Sequence, residues 1–144
     1  MKVLIDTNVV LDVLLLRRPF AEAATRVLAL VEESKIQGFL CATTVTTIDY
    51  LLGQALPPND ARAALKRLLD LCEIAPVNRP VLEQALLSSV SDFEDAVLEQ
   101  SARLVDADII ATRNLADFKK STVPALDPQE LLAALEEGRI DSSR

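Results

Sequence analysis

The 144-residue chain is half hydrophobic yet holds only four phenylalanines, one tyrosine and no tryptophan, and its 15 basic and 22 acidic residues leave a net charge of −7. That length suits one domain whose core is built from Leu, Ile, Val and Ala, a mixture that favours helices packed on a sheet. The complete lack of histidine excludes Ser-His-Asp and Cys-His nucleophilic catalysis, an imidazole base and His-containing zinc sites, while the negative charge opposes a broad cationic nucleic-acid face.

After Lys2, the apolar run Val3-Leu4-Ile5 reads as a strand buried on both faces of a mostly parallel sheet. It ends in Asp6, which falls at the carboxyl edge where open α/β sheets place their ligands, although Asp6 or Asn8 can equally cap a helix beginning near Val9. That short helix, Val9 to Leu15, is broken by Arg17-Arg18-Pro19. Ala24, Val27, Leu28, Leu30 and Val31 recur at helical spacing and predict a helix from about Phe20 to Lys35, which Gly38 ends, admitting a second strand over Phe39-Leu40-Cys41-Ala42. Thr43 to Leu56 reads as helix because a β-α-β rhythm needs a crossover. Pro57-Pro58-Asn59 breaks the chain and opens a helix from Asp60 to Leu71.

Glu73 to Val77 is a third, short strand, and Arg79 to Leu87 another helix. Ser91-Asp92-Phe93-Glu94 has the spacing of a capping box with Ser91 at the cap, so a helix is expected from Asp92 to Val105. Asp108-Ile109-Ile110-Ala111 is the fourth buried strand. Asp127-Pro128-Gln129-Glu130 supplies a cap, a proline at the first helical position and an acid in the first turn, giving a last helix over Glu130 to Glu137. Cys41 and Cys72, both placed in expected strands, read as buried free thiols in a reducing compartment. No apolar window approaches about eighteen residues and Asp6 interrupts the first segment, so neither a membrane span nor a signal peptide is expected and the protein is read as cytoplasmic. The architecture expected is a three-layer α/β/α sandwich around a mostly parallel sheet of four to five strands, one domain over 1–138 with a frayed tail over 139–144.

The acids then have to be weighed together. Asp92 and Asp95 share a helical face in a first turn, where the helix dipole favours negative charge whether or not a ligand is bound. Asn114 and Asp117 follow the fourth strand and fall at the same sheet edge as Asp6, although a turn rich in Asn and Asp is ordinary by itself. Oxygen-bearing side chains thus arrive from three separated segments. Gathered carboxylates repel one another, and a divalent cation offsets that cost; oxygen-only ligands select hard ions such as Mg²⁺ or Mn²⁺.

Leu4-Ile5-Asp6-Thr7-Asn8, Asp92-Phe93-Glu94-Asp95-Ala96 and Ile110-Ala111-Thr112-Arg113-Asn114 with Asp117-Phe118, in this order and spacing, resemble a PIN domain from Lys2 to about Leu132. The resemblance implies a ribonuclease fold with a quartet of acids binding one or two Mg²⁺ or Mn²⁺ ions, often the toxin of a bacterial toxin–antitoxin pair. By that likeness Asp6, Asp95 and Asp117 are metal ligands and catalytic acids, Asn114 stands where other members carry an acid, and Asp92 is similar to an additional acid of one branch. Members usually carry a glutamate early in the helix after the second strand. Here Thr47 falls closest to that position, and Asp49 substitutes only if the helix is rotated or shifted.

Thr7, Asn8 and Thr112 are expected to orient the carboxylates or touch phosphate with Asn114, and Arg113, Lys119 and Lys120 to neutralise flanking phosphates. The expected function is metal-dependent hydrolysis of RNA phosphodiesters, with an RNA substrate, an antitoxin partner and a homodimer implied by the likeness. The alternative is a catalytically weak or inactive PIN-fold protein that binds RNA or a protein partner.

Overall fold

The computed structural model describes residues 1–141. Its order is β1 (Lys2–Ile5), α1 (Thr7–Leu14), α2 (Ala21–Glu32), β2 (Gln37–Cys41), α3 (Ala42–Ala55), α4 (Pro58–Leu71), β3 (Glu73–Ala75), α5 (Arg79–Leu87), α6 (Phe93–Leu104), β4 (Ile109–Ala111), a 3-10 turn (Leu115–Phe118), β5 (Ala125–Leu126) and α7 (Pro128–Glu136). The five strands run in the order β3-β2-β1-β4-β5, and every pairing is parallel. β1 is therefore central, as its apolar run requires.

Period-two alternation divides the core. Val3 and Ile5 of β1, Leu40 of β2, and Ile109 and Ala111 of β4 point to one face, where they meet Val9 and Val10 of α1, Val27 of α2, Ile48 and Leu52 of α3, Ala61, Ala64 and Leu68 of α4 and Leu131 of α7. Leu4, Phe39, Cys41 and Ile110 point to the other, against Val81 and Ala85 of α5 and Ala96, Val97, Leu98 and Ala102 of α6. The three-layer α/β/α sandwich expected from the sequence is present. Strand order reverses between β1 and β4: from β1 the chain winds outward through β2 and β3, then returns to β4 on the opposite side. The crevice beyond the carboxyl ends of β1 and β4 is where such a sheet binds ligands.

Several boundaries differ for identifiable reasons. α1 begins at Thr7, because Asp6 caps it with its carboxylate accepting from Thr7 N. α2 stops at Glu32, and the turn is made by Ser34 at φ +58, not by Gly38. Gly38 lies inside β2, where a Cβ would stand 2.9 Å from Val31 Cγ2 and 3.0 Å from Val31 Cγ1; its service is close helix–strand approach. Cys72 is the C-cap of α4 rather than a strand residue, though both thiols are buried and free. Pro76 and Val77 fall outside β3. Asp92, not Ser91, caps α6, with its side chain accepting from Asp95 N. β5, the fifth strand that a sheet of four to five strands allows, has only two residues, so it carries no pattern that would place it in the sequence.

The tail expected to fray from 139 is partly held. Gly138 adopts φ +71, the amides of Arg139 and Ile140 return to Ala134 O, and Ile140 packs against the core; residues 142–144 lie outside the described residues. Among the described residues no helix is long and apolar enough to cross a membrane.

The packing at Gly38 gives a stability prediction. A methyl there must displace the stiff β-branched Val31, so Gly38→Ala should cost about 1–3 kcal/mol in urea unfolding; an unchanged midpoint would show that α2 and β2 separate freely.

Candidate active site

The crevice beyond β1 and β4 is built around Asp6. This residue is only 7% exposed, and its oxygens are nearly all committed: Oδ1 accepts from Thr7 N at 2.7 Å, while Oδ2 accepts from Thr112 Oγ1 at 2.8 Å and Asn8 Nδ2 at 3.2 Å. Thr112, wholly buried immediately after β4, in turn accepts from Asn114 N at 3.0 Å and lies 3.4 Å from Asn8 Nδ2. Asn8 closes the circuit, its Oδ1 accepting from Arg113 N at 3.1 Å. Thr7, Asn8 and Thr112 thus orient Asp6, the first two from the start of α1 and the third from across the sheet.

Burial raises the pKa of Asp6, the bonds from Thr112, Thr7 and Asn8 oppose that rise, and Asp117 adds to it. Asp95, half-buried in the first turn of α6, is pushed up to about 7, first by burial, then by the charges of Asp92, Asp6, Asp117 and Glu94. The electrostatics therefore bring together Asp6 after β1, Asp92 and Asp95 at the start of α6, and Asp117 in the 3-10 turn after β4. Asp92, Asp117, Lys119 and Lys120 also line one cleft of about 240 Å³ with Ser89, Val90, Ser91 and Ala116. Asp92 has a second task, since its Oδ1 is the cap of α6. Asn114 is exposed, and its carbonyl accepts from Asp117 N at the start of the 3-10 turn.

The donor set is of the kind a hard cation takes, all carboxylate and amide oxygen. Among the described residues, however, no group of three or more acids or cysteines is placed so that it could hold a metal ion. Asp6, Asp95 and Asp117, with Asp92 beside them, are the residues that would hold the ion.

Three expected residues have other partners in the structure. Thr47 Oγ1 donates to Thr43 O within its own helix at 3.2 Å, and Asp49 Oδ1 faces Arg62 Nε of α4 at 3.3 Å, so α3 sends no acid toward Asp6. Arg113 does not extend toward a phosphate: its Nε donates to Asp12 Oδ2 at 2.7 Å and its Nη2 to Asp12 Oδ1 at 3.2 Å, with the guanidinium 3.9 Å from the centre of the Phe20 ring. Its main-chain amide donates to Asn8 Oδ1, beside Asp6. Lys119 and Lys120 remain exposed on the cleft wall.

Two buried acids escaped the sequence reading. Asp12 is fully buried and bonded by Arg113 and by Arg17 Nε at 2.9 Å; its signal was an acid amid Val9-Val10-Leu11 and Val13-Leu14-Leu15, where charge has no solvent face. Glu99, 1% exposed in α6, accepts from Ser88 Oγ, Gln100 Nε2, Thr122 N and Thr122 Oγ1. Burial would raise its pKa, but those bonds together hold it below the usual glutamate range. Nothing local distinguished it from a solvated helical acid.

A family model described as PIN domain matches residues 2–116. Among solved structures, the chain is similar to FitAcB from Neisseria gonorrhoeae (22% identity, TM-score 0.67, covering 88% of this chain and 98% of that one). It is also similar to VapBC2 from Rickettsia felis bound to a DNA fragment from their promoter (12%, TM-score 0.69, 88% and 98%). A third similarity is to VapC20 from Mycobacterium tuberculosis, described as a sarcin-ricin loop cleaving toxin (17%, TM-score 0.60, 75% and 86%). No curated protein matches in sequence.

The raised Asp95 sets a pH dependence. Because its folded pKa of about 7 exceeds the ordinary value of 3.8, folding binds a proton between those values, and its contribution to stability is full below the lower one and lost as pH rises toward 7. Glu99 acts oppositely, its contribution being present above its ordinary pKa and lost as pH falls through the lowered one. Urea unfolding of the metal-free protein between pH 5 and 8 should therefore show a decline that Asp95→Asn flattens; an identical slope in that variant would remove the coupling.

Proposed function

The chain belongs to the PIN-domain family, and from that premise we propose that it is a metal-dependent ribonuclease whose working acids are Asp6, Asp95 and Asp117, assisted by Asp92 and Asn114. One observation carries the reading: the charges on Asp6, Asp92 and Asp117, from three separate segments, all act on Asp95. A protein folds such acids together at a cost, and a Mg²⁺ or Mn²⁺ ion relieves it.

When bound, the ion supplies a Lewis acid's polarising charge for attack of water on a phosphodiester, the part an imidazole base plays elsewhere. The chain's own residues do the rest. Asp6 is fixed by Thr7, Asn8 and Thr112 so that little reorientation remains to be made on binding. Asp95, its pKa pushed up to about 7, would have to give up its proton to hold a cation, so cation binding would tighten as pH rises. Lys119 and Lys120, beside Asp92 and Asp117 on the cleft wall, meet backbone phosphates of an otherwise repelled polyanion. The contact is local, in keeping with a net charge of −7.

One structure this chain resembles is described as a toxin-antitoxin complex from Klebsiella pneumoniae. On that likeness a small antitoxin is the partner proposed for this chain, and a homodimer the assembly; light scattering returning the mass of one chain would remove the dimer.

The proposed activity is tested on the full chain with a mixed RNA pool and Mn²⁺. Asp6→Asn and Asp95→Asn should each lower cleavage at least about 100-fold, near 2.7 kcal/mol of transition-state stabilisation. Cleavage that survives both substitutions would belong to another protein. Tight RNA binding with no cleavage would favour a non-catalytic member, the reading supported by the missing acid on α3.

A further inference from the structure

The ion pair between Asp12 and Arg113 lies outside the acid cluster, yet it joins two of the three segments that build it. α1 supplies Asp6 at its cap, Asn8 in its first turn and Asp12 one turn later, and the segment after β4 supplies Thr112, Arg113 and Asn114. Arg113 grips α1 at two heights. Its main-chain amide donates to Asn8 Oδ1 at 3.1 Å, and its guanidinium takes both oxygens of Asp12 at 2.7 and 3.2 Å. Asn8, so held, aims its Nδ2 at Asp6 Oδ2. The Asp12 side chain is 0% exposed and that of Arg113 28%, so water screens the pair poorly and the two-pronged geometry restricts both side chains. Phe20, covering the guanidinium at 3.9 Å, limits its movement further.

We infer that Asp12 and Arg113 are positioning residues: their ion pair sets the register of α1 against the loop after β4, and thereby the aim of Asp6, without touching substrate or ion. The inference rests on the reading of Asp6 as a metal ligand. An anion with no solvent access would otherwise be a costly way to join two segments that a packed apolar contact holds as well. The charged pair adds direction: a guanidinium fork fits a carboxylate in few orientations, and that orientation fixes where Asn8 stands.

The test uses the full chain and Mn²⁺ titration calorimetry at fixed pH, with circular dichroism and thermal unfolding reporting the fold. Arg113→Lys keeps the charge opposite Asp12 but loses the fork, and should weaken Mn²⁺ binding about 10-fold or more, as loss of a supporting partner does in metal sites. Phe20→Leu, at a partly exposed residue that leaves the buried charge paired, should fold normally and weaken binding less. RNA cleavage by Arg113→Lys should return toward the native rate at high Mn²⁺, a rescue that simple loss of folded protein would not give. Native Mn²⁺ affinity in both folded variants, with reduced thermal stability alone, would overturn the clamp and leave the metal site standing. No Mn²⁺ binding by the native protein would sink the metal reading itself and the clamp with it.

Discussion

Asp6 is held where the sheet reverses its winding order, and the rest of the site follows from that placement. A carboxylate at the end of the central strand loses most of its water, and an unsupported one would take up a proton or shift away. Bonds from Thr7 and Asn8 on its own helix and from Thr112 across the sheet compensate it. Because Thr112 follows β4 directly, the parallel pairing of Ile5 with Ala111 determines where that hydroxyl stands. Backbone register thus becomes side-chain aim.

The same geometry explains why the acids influence one another. α6 packs on the sheet face opposite α1 and begins near the crevice, which brings Asp95 within the field of Asp6 and of Asp117. Capping by Asp92 stabilises the start of α6 and adds a further negative charge beside Asp95. Glu99, farther along α6, ties Ser88 and Thr122 together, which lie next to the two walls of the cleft containing Asp92 and Lys119. The buried and half-buried acids differ in one respect: Asp12 and Glu99 have their charges met by protein donors, whereas Asp95 has burial first, and then the charges of Asp92, Asp6, Asp117 and Glu94, set against its ionised form.

Much of this was legible in the residues. The unbroken Val3-Leu4-Ile5 run placed the central strand, and the three acid-bearing motifs placed Asp6, Asp95 and Asp117 at one sheet edge. What escaped was set by contacts distant in sequence. Nothing around Gly38 distinguishes a helix stop from a strand glycine pressed on Val31. Arg113 reads as a free cation until Asp12, 101 residues away, is seen beneath it. Thr47 and Asp49 had to be aligned without knowing the rotation of α3, and that rotation turns one to its own backbone and the other to Arg62.

The central claim is convergence: acids from three separate segments share one cation. Paramagnetic broadening of backbone amides during Mn²⁺ titration measures this most directly. The account predicts that signals at Asp6, Asp95 and Asp117 fade together at the same low Mn²⁺ concentration; fading confined to one of the three segments, or appearing first at the distant acids of α7, would contradict it.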